Sequence, residues 1–267
     1  MSSKMTMTSL PNPESRACPS RMGIHAVSEN TGQPAGLINL YKPVGQSSAQ
    51  FVYRLRRVFG IQKVGHAGSL DPFADGVLLG CVGNGTRLVE RLMGLPKTYV
   101  TCLHLGVTNE CHDPERPFIP VANVTPPLNA DITAALASFE GEIEQVPPAF
   151  SAVKVGGESV YKAARRGRLL DLPPRRIRVD SIRLLSYEWP RLRFEIRCGR
   201  GTYIRALARD MGDRLGCGAC CETLTRTAVG PFSIDDSCHL PTASEEEVRA
   251  SLMSVERVRS MIEDWPR

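Results

Sequence analysis

Lys63-Val64-Gly65-His66-Ala67-Gly68-Ser69-Leu70-Asp71-Pro72-Phe73-Ala74-Asp75-Gly76-Val77-Leu78-Leu79 is the stretch on which the reading of this chain turns. Gly65, Gly68 and Gly76 carry no Cβ, so the backbone there can turn tightly or approach a ligand closely. Pro72 fixes its own φ and pushes Asp71 toward an extended conformation, which seats the carboxylate on a stiff turn. The apolar run 77–82 reads as a buried strand behind it. A carboxylate held in this way suits a nucleophile or a general base. An Asp-Pro pair also makes an ordinary turn at a strand entrance, and composition leaves both readings open.

Working outward, residues 36–41 read as a short strand ended by Lys42-Pro43. Ser47 or Ser48 can cap a helix with Phe51, Val52, Leu55, Val58 and Phe59 on its apolar face and Arg54, Arg56 and Arg57 outward. Residues 99–107 alternate as a strand does, and 131–139 fit a helix with Ile132, Ala135, Leu136 and Phe139 on one side. Segments 178–185 and 192–198 alternate apolar with charged side chains, as half-buried strands do. Residues 202–215 read as a helix stopped by Gly216. Strands and helices mix without a regular βαβ repeat, so the expected class is α+β.

The 267 residues suffice for a substantial core, and 42% hydrophobic with 23% charged residues is an ordinary globular composition. No apolar run approaches the roughly 20 residues of a membrane span. Residues 1–35, rich in Ser, Pro, Asn, Thr and Met, read as a disordered leader without a signal-peptide core. Nine scattered cysteines suggest reduced thiols and a cytoplasmic setting. The Cys217, Cys220, Cys221 group lacks a second ligand pair at zinc-site spacing, so packing is favoured over metal. The net charge of +5 hides an asymmetry: segment 162–209 holds 14 Lys or Arg against four acids, a net of +10, and the remainder sums to −5. One basic third on a near-neutral protein is the footprint of a polyanionic partner such as nucleic acid.

The central stretch resembles the catalytic motif of the TruB family of pseudouridine synthases, Gly-His-Xaa-Gly-Xaa-Leu-Asp-Pro-Xaa-Ala-Xaa-Gly-Val-Leu, at every fixed position. The resemblance continues in order through segments 36–43, 97–99, 105–106, 147–154, 201–205 and 224–227, covering about 36–240. It implies the pseudouridine synthase fold, a mixed, mainly antiparallel sheet flanked by helices with a central cleft. It implies conversion of uridine to pseudouridine at position 55 in the T-loop of tRNA, by base flipping and without cofactor or metal.

By motif match, Asp71 would be the catalytic nucleophile or base, and Arg205 would pair with it. Tyr99 would stack on the target base and could move its C5 proton. Tyr203 and Leu224 would line the pocket. His66 would fill the gap left by flipping or contact the flipped nucleotides. Lys42, Pro43, Gly65, Gly68 and Pro72 would shape the site, with Lys42 structural, and Asp75 reads as solvated or capping. An insertion at about 153–174 would grip the RNA stem-loop, with Arg165, Arg166 and Arg168 as contact candidates.

The expected partner is the tRNA T-arm stem-loop, with no membrane and no obligate protein partner. Bacterial members of the family usually carry a C-terminal PUA barrel. Here the 27 residues after Leu240 read as a single helix, with a capping box at Ser244 and an apolar stripe through Val248, Leu252, Val255, Val258 and Ile262, so no full barrel is expected. A guide-RNA-dependent synthase and a non-catalytic RNA-binding or tRNA-folding module are the alternatives.

Overall fold

The computed structural model describes residues 33–148, 154–155, 158–160, 166 and 172–265. Most of the leader, most of the 153–174 insertion, and Arg165 and Arg168 lie outside them. Arg166 is exposed in a turn.

The alternating apolar pattern folds into a sheet of nine described strands. In chain order they are β1 (Gly36–Lys42), β2 (Val64–His66), β3 (Asp75–Val82), β4 (Lys97–Leu105), β7 (Gly141–Gln145), β10 (Arg175–Glu188), β11 (Arg191–Cys198), β12 (Ala219–Val229) and β13 (Phe232–Ser233). Two small ribbons stand apart, β5 (Val107–Thr108) with β6 (Ile119–Pro120) and β8 (Lys154–Val155) with β9 (Glu158–Ser159). The helices are α1 (Ser48–Phe59), α2 (Val89–Gly94), α3 (Asn129–Ala137), α4 (Ile204–Arg214), α5 (Glu245–Ala250) and α6 (Val255–Glu263). The sheet runs β1-β3-β12-β4-β11-β10-β7, with β2 on β3 and β13 on β12. Every pairing is antiparallel except β12 with β3, which is parallel through Thr225↔Asp75 and Arg226↔Gly76. This is the mixed, mainly antiparallel α+β architecture expected from the sequence.

Three apolar clusters hold helices to the sheet. The largest joins Ile132, Ala135 and Leu136 of α3 and Ile204, Leu207 and Met211 of α4 to Leu103, Leu192, Phe194 and Ile196. The second packs Phe51, Leu55 and Val58 of α1 and Val248 of α5 on Ile38, Leu40 and Leu78. The third packs Leu92 of α2 and Val258 and Ile262 of α6 on Leu37, Leu79 and Val229.

The segment after Leu240 departs from the expected single helix. Met253 exchanges backbone bonds with Leu37 (Leu37 N–H to Met253 O, 3.0 Å; Met253 N–H to Leu37 O, 2.9 Å), which draws the chain out of helical geometry. Ser254 Oγ then accepts from Arg257 N–H at 3.2 Å and starts a second helix. The capping box forms as expected, with Glu247 accepting from Ser244 N–H at 2.7 Å and Ser244 Oγ from Glu247 N–H at 3.2 Å. The apolar stripe was legible, but its break was not, because the break is imposed by a distant strand.

The parallel contact between β3 and β12 sets a steric limit at Gly76. Its φ is 107°, and a Cβ there would stand 2.2 Å from the Arg226 carbonyl oxygen. Gly60 also has positive φ, 66°, but a Cβ there meets nothing within 4 Å. Urea unfolding should therefore separate the two: Gly60→Ala costs about 1 kcal/mol, the left-handed penalty alone, whereas Gly76→Ala costs about 3 kcal/mol or more because backbone must move as well.

Candidate active site

Sheet register aligns the site in a row. Lys42 lies opposite Gly76, Gly76 beside Arg226, Arg226 opposite Tyr99 and Tyr99 opposite Ile196. The row crosses β1, β3, β12, β4 and β11, and the loop between β2 and β3 folds over it. A register irregularity in β12 between Arg226 and Ala228 sits at this point, the kind of bulge that re-aims a side chain.

The loop is fastened from three sides. Ser48 Oγ, at the start of α1, accepts from Leu70 N–H at 3.0 Å and lies 3.3 Å from Leu70 O. The Lys42 ammonium, with no exposed surface, donates to the carbonyls of Pro43 (3.0 Å), Gln46 (2.8 Å) and Pro72 (3.4 Å). Burial pulls its pKa down to about 8. Arg226, 2% exposed, donates from Nε to Val77 O (2.8 Å), from Nη1 to Ser69 O (3.3 Å) and from Nη2 to Gly68 O (3.1 Å). Inside these fastenings Ala74 N–H bonds Asp71 O at 3.1 Å and closes the turn across Pro72.

Asp71 presents its carboxylate to the Arg205 fork, Nε to Oδ2 at 2.8 Å and Nη2 to Oδ1 at 3.2 Å. The bidentate geometry fixes carboxylate orientation as well as charge. Arg205 stands in the first turn of α4 with its side chain 4% exposed, whereas Asp71 keeps 37% exposed. The start of α4 is itself fixed, since the Gln145 side chain donates to Tyr203 O at 3.1 Å and accepts from Tyr203 N–H at 2.9 Å. The remaining Arg205 nitrogen, Nη1, donates to Asp113 Oδ2 at 3.0 Å and to Cys111 O at 3.4 Å. Burial works against the Arg205 charge, but the Asp71 and Asp113 carboxylates outweigh it and hold its pKa above the ordinary value.

Asp113 and Arg226 were not among the sequence candidates. Asp113, 1% exposed, sits in a loop tied by Asn109, whose side-chain amide donates to Asp113 O at 2.8 Å and Arg116 O at 2.9 Å. Its Oδ1 accepts from Glu115 N–H at 2.9 Å, and the preceding His112 has φ of 54°, a strained value for a non-glycine residue. The signal was present in Asp113-Pro114, a second Asp-Pro dipeptide. Arg226 offered no such signal, because nothing in its local sequence sets it apart from the chain's other cations.

The other candidates fall as follows. Tyr99 is 8% exposed and Leu224 6%, and both belong to the apolar cluster that includes Leu70 and Phe73. Burial raises the Tyr99 pKa, so its phenol stays protonated at neutral pH. Tyr203 is half-buried against Val160 and Leu172. His66 is half-buried with Nδ1 buried and unbonded, and burial, aided by the Arg226 charge, lowers its pKa. Asp75 differs from expectation, since its Oδ2 accepts from the Tyr41 hydroxyl at 2.7 Å and is neither simply solvated nor a cap. Cys217, Cys220 and Cys221 are buried, with the Cys220 thiol pushed by burial up to about 11 and Cys221 to about 12. Among the described residues no group of three or more His, Cys, Asp or Glu is placed to hold a metal ion, and no helix is long and apolar enough to cross a membrane.

Residues 56–204 match the N-terminal domain of the TruB family of pseudouridylate synthases, and 205–262 match the C-terminal domain of tRNA pseudouridylate synthase B. The chain belongs to the TruB family. It is 40% identical over 232 residues to the tRNA pseudouridine synthase B of Rhodopirellula baltica, covering 85% of this chain and 67% of that one. It is 43% identical over 202 residues to the protein so named in Protochlamydia amoebophila, covering 75% and 76%. Among solved structures, a chain of a Cbf5–Nop10–Gar1 complex superposes with a TM-score of 0.66 at 29% identity. That match takes in 85% of this chain, which spans 62% of the length of its counterpart.

Two outcomes follow from this geometry. Arg205→Lys replaces a fork by a point donor and should lower turnover roughly 100-fold at unchanged RNA affinity, measured by single-turnover kinetics and a binding titration. For His66 the folded pKa lies below 6.5, so between those two values the unfolded chain binds more protons than the folded one. Its contribution to stability is intact above pH 6.5 and falls as pH drops toward the folded pKa. His66→Gln should flatten that part of a stability-versus-pH curve measured by urea unfolding.

Proposed function

We propose that this chain isomerises uridine to pseudouridine at position 55 in the T-loop of tRNA, in a cytoplasmic setting, without cofactor. The observation that carries the reading is the Asp71 carboxylate, partly exposed, held by the Arg205 fork and followed at once by Pro72.

In the reaction the N1–C1′ bond breaks, the uracil rotates, and C5 joins C1′; the C5 proton leaves and N1 regains one, so substrate and product are isomers. Asp71 serves either as nucleophile at C1′ or as the base that removes the 2′ proton. Arg205 keeps the Asp71 carboxylate aimed. Tyr99 forms the wall against which the extruded base stacks, and its phenol is the group within the pocket able to exchange the C5 proton. Leu224 and Tyr203 close the pocket, and His66, neutral at working pH, stands at its edge where flipped-out neighbours pass. A base inside a folded loop is reached only by extrusion, which costs unstacking energy that the pocket and the RNA contacts offset.

The curated relatives at about 40% identity are described as tRNA enzymes, which favours a tRNA enzyme over a guide-RNA-dependent synthase. The Cbf5 likeness, at 29% identity, supports the shared catalytic scaffold.

Asp71→Asn should keep the shape of the turn and T-arm binding but lower turnover by about a thousandfold or more. Tritium release from C5-labelled uridine in a T-arm stem-loop measures it. Turnover above a few per cent of wild type in that variant overturns the assignment.

A further inference from the structure

A second basic tract lies outside segment 162–209. From Pro43 to Leu70 the chain carries Arg54, Arg56, Arg57 and Lys63 and no Asp or Glu. On the outer face of α1, Gln50, Tyr53, Arg54 and Arg57 fall at helical spacing, and all are exposed. Tyr53 leaves 64% of its surface in solvent. Lys63, also exposed, follows the helix in the chain and donates to Asn84 Oδ1 at 3.1 Å. The side chains of Arg54 and Arg57 form no ion pair or hydrogen bond among the described residues.

Helix stabilisation does not account for this face. Basic side chains in the last turn complement the helix dipole, which gives Arg56 and Arg57 a local duty. That duty requires neither Arg54, a turn earlier, nor an exposed aromatic beside it. Position supplies the purpose. The Ser48 hydroxyl binds Leu70 on the catalytic loop, so α1 begins against the site. From there the stripe leads away for about 14 Å, at 1.5 Å per residue.

We propose that this outer face of α1 binds the sugar–phosphate backbone of the RNA stem adjoining the loop whose uridine enters the pocket. The inference rests on the pseudouridine synthase reading and names a contact surface for its substrate. Arg54, Arg57 and Lys63 donate to phosphate oxygens, the contacts that set register without reading sequence. The Tyr53 ring lies along the ribose edge, with its hydroxyl able to bond a 2′-OH.

The test compares the full chain with a variant carrying Arg54→Glu, Arg57→Glu and Lys63→Glu, and separately with Tyr53→Ala. The RNAs are a T-arm hairpin with its whole stem and the same hairpin trimmed to its closing base pairs. Because the altered side chains are exposed, folding is retained, which circular dichroism checks. The triple variant should weaken binding of the whole-stem hairpin at least about tenfold and flatten log K against log salt by about 2 to 3, close to 0.9 per lost phosphate contact. On the trimmed hairpin the difference should largely vanish, and turnover at saturating RNA should stay within about twofold of wild type, since these groups do not touch the base. Tyr53→Ala should weaken whole-stem binding by a smaller factor without changing the salt slope. Unchanged affinity and slope in the triple variant overturn the proposal, as does an equal loss on the trimmed hairpin, which would put the contact on the loop. If the wild-type chain releases no tritium from either hairpin, the catalytic reading fails instead, and the binding comparison still decides the surface.

Discussion

A guanidinium with almost no access to water holds the centre of this protein together. Arg226 remains buried because the loop before Asp71 and strand β3 offer it the carbonyls of Gly68, Ser69 and Val77. An unpaired buried cation would be prohibitive, and unpaired loop carbonyls would be costly too, so each side requires the other. The arrangement exists only because β12 runs parallel to β3 at Gly76, where the absence of a Cβ lets the two backbones meet. Loop position, strand order and the place of Tyr99 opposite Arg226 are thus one linked constraint.

Upon that base the site places one arginine between two carboxylates of unequal exposure. Asp113 sits inside, its side chain 2% exposed, whereas Asp71 keeps 37% exposed. Arg205 is saturated by both, so its geometry is fixed from within, and the outer carboxylate inherits that orientation while remaining reachable. Both aspartates precede a proline, so each rides a turn whose backbone is already restricted. The loops have little conformational freedom left to lose when substrate arrives, which is the structural form of preorganisation.

Charge is distributed to match a long polyanion. The basic segment from Lys162 to Arg209 includes strands β10 and β11, where Arg183, Arg178 and Arg191 are partly occupied by Glu195, Asp180 and Glu222. Exposed pairs of this kind contribute little to stability, so they leave the side chains free to exchange partners. The face of α1 lacks such internal acids. The two surfaces therefore differ in kind: one is a mixed-sign sheet surface, the other an uncompensated track beginning at the active loop.

The sequence by itself determined the class of the fold, the motif around Asp71 and most element positions, including α1, α3 and α4. These follow from local periodicity, glycine and proline restrictions, and a motif whose residues stand together in the chain. What only the tertiary structure decided depends on partners far apart in sequence. The split of the last helix comes from Leu37 drawing Met253 into a strand-like bridge. The burial of Asp113 comes from Arg205, 92 positions away. The burial of Arg226 as the clamp of the loop around Asp71 comes from carbonyls nearly 160 positions away. A residue's local pattern states whether it suits a helix or a strand, but the sign of its burial energy is set by which distant polar groups fold against it, and that is a property of the assembled molecule.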